Sequence, residues 1–443
     1  MKNLKSYIGL VCTVALAVSC NNVLDTSPTN ILTDNHVWSS KNAIDAYMGQ
    51  LYDEMQVEDL EYQIESEGQY LSLFTDEAVR SYTWGRANYA LIPEGVFGWW
   101  GYQEVRNINT FLDNINNAAA LTPEERKVYE AEARFCRAMN YFAMVKRYGG
   151  VPLVTVAQKY DGGDVKTLQL PRSKEYEIYD FIKDECQAIQ SMLPESREGE
   201  DLYRATRYAA YALECRAMLY AASEAKYGNV DLNGLIGIPA EKAEGYWKAA
   251  RAAAEKIINS GKYALYTAKT DKAENFQYLF LDESSANKEQ IFTKAFDTSN
   301  KGGTFDYFNA PQSFKLDYGC VTNPTEDFVA EFEYKDGSDG ALKVNDASGN
   351  PIKYADPTDL FKDKDPRMLG SILYPFSPWQ GDRVEVRKGI IKPDGTIVTA
   401  SSLSDKYEGT NTTIAAKDGT LTSTDVTKTG FYIKKFKIGR AHV

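Results

Sequence analysis

The chain runs to 443 residues, 43% hydrophobic and 25% charged, a balance that excludes a disordered or collagen-like protein and allows two or three domains. Fifty Lys and Arg against 62 Asp and Glu leave a formal charge of −12, which argues against a nucleic-acid-binding surface. Two histidines, His36 and His442, and six scattered cysteines with no C-x-x-C pair give no support to a His-ligated metal site, a His-based triad or a zinc ribbon, so no metal or cofactor is expected.

Residues 1–19 read as an export signal, with Lys2 and Lys5 as a basic start and an apolar run over Tyr7–Val18. That run is too short to span a bilayer, which takes ~20 residues. The small Ser19 followed by Cys20 resembles a bacterial lipoprotein cleavage site, at which Cys20 would become the acylated first residue. The alternative is an ordinary signal peptide in which Cys20 is incidental.

From Ser39 to about Gly261 the dominant period is helical. Ser39 or Ser40 can cap a helix carrying Ala43, Tyr47 and Leu51, and a second is predicted from about Trp99 to Ile115 with Val105, Ile108 and Leu112 on one face. Thr122-Pro123-Glu124-Glu125 is a helix start with Thr as N-cap, Pro at the first position and Glu closing a capping box. That helix places Phe135, Ala138, Phe142 and Val145 at 3–4 spacing and stops at Gly149-Gly150. Ser173 opens the next, with a stripe of Ile178, Ile182, Cys186, Ile189 and Leu193. Two more are predicted at about Ala205–Ser223 and Tyr246–Ser260. Long helices joined by short turns suggest stacked antiparallel pairs of the tetratricopeptide kind.

After about Thr270 the texture changes. Asp336-Gly337, Asp394-Gly395 and Asp418-Gly419 mark turns, Thr410–Thr429 is Thr-rich, and short β-like runs such as Gly389–Val398 appear. This half is predicted to be irregular and loop-rich, laid over the helical half with little regular core of its own. The last six residues, Ile438–Val443, are what ATC GGA AGA GCA CAC GTC encodes, a string that matches a widely used sequencing adapter. They are read as adapter, and the natural chain is expected to continue past Lys437.

Several of these segments resemble the SusD/RagB family of outer-membrane nutrient-binding lipoproteins. The most specific stretch runs from Glu132-Ala133-Arg134-Phe135-Cys136-Arg137-Ala138 through Tyr141-Phe142 to Tyr148-Gly149-Gly150-Val151-Pro152-Leu153. Leu170-Pro171-Arg172-Ser173, Arg204-Ala205-Thr206, Gly261-Lys262-Tyr263, Asp363-Lys364-Asp365-Pro366-Arg367 and Thr429-Gly430-Phe431-Tyr432 follow in the family's order. The resemblance implies a mainly α fold, with tetratricopeptide-like helical pairs over 20–265 and an incomplete, irregular second region with short β-hairpins over 266–437. It also implies a non-catalytic surface protein, held to the membrane only through its lipid, that passes an oligosaccharide to a SusC-like TonB-dependent outer-membrane transporter.

Most motifs have plainer readings as well. Arg134 and Arg137 sit beside Glu130 and Glu132 and read as structural ion pairs; Cys136, Cys186 and Cys215 read as small core residues; Trp99-Trp100 reads as core more than platform. The loop between the first two long helices differs in being polar and aromatic with no helical period. In glycan-binding members of the family the loop in this place carries the contacts, so Trp84 is the expected stacking platform, Tyr82 its neighbour, and Asp76, Arg86 and Asn88 the hydroxyl partners. Tyr307, Phe308 and Tyr318 are the expected second wall. The competing reading makes Trp84 mere packing between the halves. Two other functions stay open on sequence: a secreted glycoside hydrolase, which needs two carboxylates beside an aromatic groove, and a helical scaffold that binds only peptide or protein.

Overall fold

The computed structural model describes residues 37–56, 71–81, 98–294, 305–314, 319–421 and 426–435. Cys20 and residues 438–443 lie outside them. Six long helices follow one another: α1 (Lys41–Glu54), α2 (Tyr102–Ile115), α3 (Pro123–Tyr148), α4 (Glu175–Ile189), α5 (Arg207–Tyr227) and α6 (Ala243–Ile258). Each packs on the next, and one continuous core joins them all.

The starts and stops follow local chemistry. The Ser40 hydroxyl accepts from the Ala43 N–H at 3.4 Å, and Ile44, Met48 and Leu51 turn inward from α1. Thr122 and Glu125 close the capping box of α3, the Thr122 N–H donating to Oε2 of Glu125 at 2.8 Å. α3 ends at Gly149, whose φ of 67° is left-handed and whose added Cβ would lie 2.4 Å from the Leu235 carbonyl. Arg172 completes that end: its Nε donates to the Gly150 carbonyl at 2.6 Å and its Nη2 to the Tyr148 carbonyl.

Several boundaries shift from the sequence reading. α4 starts at Glu175 rather than Ser173 and closes at Ile189, so Leu193 is buried from the turn beyond the helix. Thr206 caps α5, which runs on to Tyr227 because Ala217, Ala221, Ala222 and Ala225 offer a smooth surface for close packing. α6 begins three residues early, at Ala243.

Arg134 and Arg137 are indeed ion-paired, but chiefly across helices. Glu185 of α4 accepts from Arg134 Nη2 at 2.7 Å and Arg137 Nη2 at 2.8 Å, while Glu130 takes only a 3.4 Å contact. Glu132 turns the other way and meets Arg197 and Arg204, Nε of the latter at 2.7 Å. Cys136 and Cys186 are buried core thiols and Cys215 is half-buried; all three are free.

The remainder carries short helices and two-residue to three-residue strands. α7 (Lys272–Leu279), α8 (Phe305–Asn309), α9 (Glu326–Ala330) and α10 (Pro366–Ser371) are joined by four antiparallel pairs. These are β1 (Ala78–Arg80) with β2 (Thr322–Pro324), β3 (Ile372–Leu373) with β8 (Tyr432–Ile433), β4 (Pro378–Trp379) with β5 (Asp382–Arg383), and β6 (Gly389–Ile391) with β7 (Ile397–Thr399). Asp394-Gly395 turns the last hairpin as predicted. Asp418 does more than mark a turn: it is fully buried, and its carboxylate accepts from the Ser313 N–H at 2.8 Å and the Glu385 N–H at 3.1 Å. Asp365 caps α10 ahead of Pro366, and the buried Lys364 ammonium donates to the Phe332 and Gly340 carbonyls. Small separate clusters around Tyr432, Phe431 and Ile414 replace a single core.

Burial works against ionising Glu185, but Arg134 and Arg137 outweigh it and hold the carboxyl below the ordinary glutamate value. A depressed carboxyl contributes stability above its unfolded pKa and loses it as pH falls through the folded value. Glu185→Gln should therefore cost about 3 kcal/mol at pH 7, as expected when a buried ion cluster loses a partner. The gap to the wild type should narrow steadily below about pH 4.5. Urea titrations at pH 7 and at pH 3 measure it; an equal gap at both would remove the charge from the explanation.

Candidate functional site

β1 and β2 bring two distant parts of the chain together. Ala78 lies opposite Pro324 and Arg80 opposite Thr322. Beyond the pair the Ser81 N–H donates to the Val321 carbonyl at 3.0 Å, and the Val321 N–H donates to the Phe308 carbonyl at 2.9 Å. Asn309, wholly buried, accepts from the Thr322 N–H at 3.1 Å and ties α8 to the same strand. Leu73, Ala78 and Val321 form the apolar centre of this unit, with Phe308 packed against it.

The expected contact residues distribute unevenly over this frame. Tyr307 and Phe308 sit on α8 with ring centroids 5.2 Å apart, edge to face. Both are half-buried, and Phe308 serves the small core. Asp76 is exposed at the far end of β1, where its carbonyl accepts from Thr325 Oγ1 at 2.7 Å. The length of β1 thus separates it from Ser81 and α8. Tyr82, Trp84, Arg86, Asn88 and Tyr318 lie outside the described residues. The strand pair brings Ser81, the residue before Tyr82, to the α8 wall.

Cys320 leads into β2 with φ of 60°, a left-handed conformation that costs a non-glycine residue about 1–3 kcal/mol. Packing against Leu373, Trp379 and Tyr432 holds it there, and its thiol donates to the Ala310 carbonyl at 3.2 Å. Strain of this sort lies on the segment joining Tyr318 to β2. Burial pushes the Tyr432 hydroxyl well above the ordinary tyrosine range, so it remains a donor, to the Asp418 carbonyl at 2.8 Å.

The approach to α2 holds a residue that sequence reasoning misplaced. Gly98, Trp99 and Trp100 precede α2, which starts only at Tyr102. The Trp99 ring folds back over Gly101, where an added Cβ would lie 2.2 Å from it, and packs against the main core. Trp100 is forced to the other side and stays 53% exposed. Its ring is braced by Tyr102 and Tyr148, each at 5.0 Å. Both tyrosines are fixed in turn: Tyr102 donates to the Pro152 carbonyl, and the Tyr148 hydroxyl accepts from the Trp99 N–H at 2.6 Å. The glycine after the Trp pair was the available signal, since only a residue without Cβ admits the Trp99 ring.

A fixed, solvent-facing indole flanked by tyrosines can stack on an apolar ring face. Among the described residues no group of three or more His, Cys, Asp or Glu is placed to hold a metal. No helix among them is long and apolar enough to cross a membrane.

Comparison with known proteins agrees with this architecture. A family profile described as starch-binding and associating with the outer membrane matches residues 22–219, and one described as the SusD family matches 288–441. SusD-like protein P2 of Formosa agariphila is 29% identical over 106 residues, which is 24% of this chain and 20% of that relative. The crystal structure of a SusD-like carbohydrate binding protein from Bacteroides fragilis superposes with a TM-score of 0.61 at 20% identity, covering 91% of this chain and 69% of that one. A second SusD-like protein from the same species gives 0.59 at 22% identity, covering 93% and 71%. At such identities these two structures speak to the fold alone. With SusD-type profiles matching 22–219 and 288–441 in order, together well over half of its length, the chain belongs to the SusD/RagB family.

Proposed function

We propose that the protein is a non-catalytic cell-surface lipoprotein that captures an oligosaccharide and delivers it to a TonB-dependent outer-membrane transporter. The observation that carries the glycan part is Trp100, an indole held open to solvent by two tyrosines that are themselves hydrogen-bonded in place. Sugars present C–H faces that stack on such rings, and rigid aromatics lose little entropy on binding. The profile description, starch-binding and outer-membrane-associating, supports the same reading. The loop that joins Ser81 to Trp100 would supply the remaining contacts from Tyr82, Trp84, Arg86 and Asn88. Tyr307, Phe308 and Tyr318 would form the opposing wall, while Asp76 stands a strand's length away from it. Cys20 would carry the anchor, because one acyl chain binds a membrane only marginally and several hold it firmly.

Stacking one exposed tryptophan on a sugar face is worth roughly 1–2 kcal/mol, by analogy with aromatic pairs. Trp100→Ala and Trp84→Ala should each weaken polysaccharide retardation in affinity gels by roughly tenfold, with the melting temperature unchanged. Undiminished retardation in both variants would move the glycan site elsewhere, and a collapsed melting temperature for either would make that ring core.

The anchor is tested by radioactive fatty-acid labelling of wild type and Cys20→Ala in a host that processes lipoproteins. The wild type should take up label and the variant none; equal labelling would end the lipoprotein assignment.

A further inference from the structure

A cavity of about 640 Å³ opens on the helical half between α1, the 199–204 turn and residues 292–294. Its volume falls within the ~300–1,000 Å³ of small-molecule sites. Three features set it apart from an incidental gap between helices.

The first is Gly49, in the interior of α1 and on the cavity wall. Glycine there is about 1 kcal/mol less favourable than alanine. The usual reasons for it are missing, since its φ is not left-handed and no atom lies within 4 Å of an added Cβ. What the missing side chain leaves is open space above the helix.

The second is a floor that cannot collapse. The Tyr52 hydroxyl donates to Glu132 Oε2 at 3.2 Å and accepts from the Ala205 N–H at 2.8 Å. Arg204 is held by Glu132 at 2.7 Å, Asp201 at 2.8 Å and Asp45 at 3.2 Å. Groups fixed in this way are pre-organised for a ligand.

The third is the lining. Tyr203, 40% exposed, and Phe292, braced by Phe135 at 5.2 Å, offer apolar ring faces. Around them stand Asn42 and the carboxylates of Asp45, Asp53, Glu200 and Asp201, against the two cations Arg204 and Lys294. Arg204 is committed to the floor, and Lys294 donates to the Asp53 and Met55 carbonyls at 2.9 and 3.2 Å. Four carboxylates against two cations leave the lining with an excess of negative charge. It accepts hydrogen bonds from hydroxyls and repels carboxylated or sulfated rings.

We infer that this cavity is a second sugar site, distinct from the Trp100 platform, that takes one neutral hexose unit. It extends the glycan-binding reading to the helical half but stands on its own residues. The sugar's C–H face would lie on Tyr203 or Phe292, with its hydroxyls donating to the rim carboxylates.

Saturation-transfer NMR with glucose, galactose, mannose and glucuronate separates the two sites. At least one neutral hexose should give a signal with the wild type and glucuronate none. Gly49→Leu fills the cavity with a good helix former, and Tyr203→Ser removes a wall. Either should reduce the signal at least tenfold at unchanged circular dichroism, while polysaccharide retardation by the Trp100 platform persists. The signal should survive in Trp100→Ala, so loss of one site does not imply loss of the other. No hexose signal in the wild type, an equal signal from glucuronate, or a signal untouched in both variants would overturn the assignment.

Discussion

The carboxylate of Glu132 is wholly buried in the middle of α3, and the helical half is organised around satisfying it. A lone charge there would carry a desolvation cost of several kcal/mol, so its partners must be delivered and held. Arg197 and Arg204 bring in the segment between α4 and α5, and the Tyr52 hydroxyl brings in α1. Tyr129 and Arg204 then share Asp45 of α1, so residues from two other stretches close on that acid. The floor of the cavity beside α1 is the solvent-facing side of this arrangement.

A second acid, Glu185, does the same work on the opposite side of α3. It takes both Arg134 and Arg137 and binds α3 to α4. Arg137 also reaches Asn109 of α2 at 2.8 Å and the Thr155 carbonyl at 2.9 Å. α3 is thus buried along most of its 26 residues and charged at selected points within that burial. Apolar packing provides the bulk stabilisation, while the charges specify which neighbour sits where.

The irregular half is held by different means. With strands of two or three residues it cannot rest on sheet hydrogen bonding. It relies on single buried polar anchors: Asp418 receiving two backbone N–H groups, Lys364 donating to two carbonyls, and Asn309 and Asn323 bracing β2. Such anchors fix loops without a large core, which suits a region that presents side chains rather than encloses them. Ser81 is held within this half by the Val321 carbonyl, and Trp100 is held on the helical half by Tyr102 and Tyr148.

Much of the helical half was legible in the sequence, because its signals are local. The capping box at Thr122, the glycine stop at Gly149 and the Ile178–Ile189 stripe each act within a few residues, and each appears where the pattern places it. Turns such as Asp394-Gly395 were legible for the same reason. Partners across space were not. Spacing puts Glu130 and Glu132 beside Arg134 and Arg137, yet the tertiary packing gives both arginines to Glu185 and sends Glu132 to residues more than 60 positions away. Likewise two adjacent tryptophans look equivalent in sequence, and only the fold of the Trp99 ring over Gly101 decides that one is packed inward and the other exposed. Local hydrogen bonding and periodicity determine where elements begin and end; which buried charge is paired, and which ring meets solvent, depends on surfaces that exist only once those elements have packed.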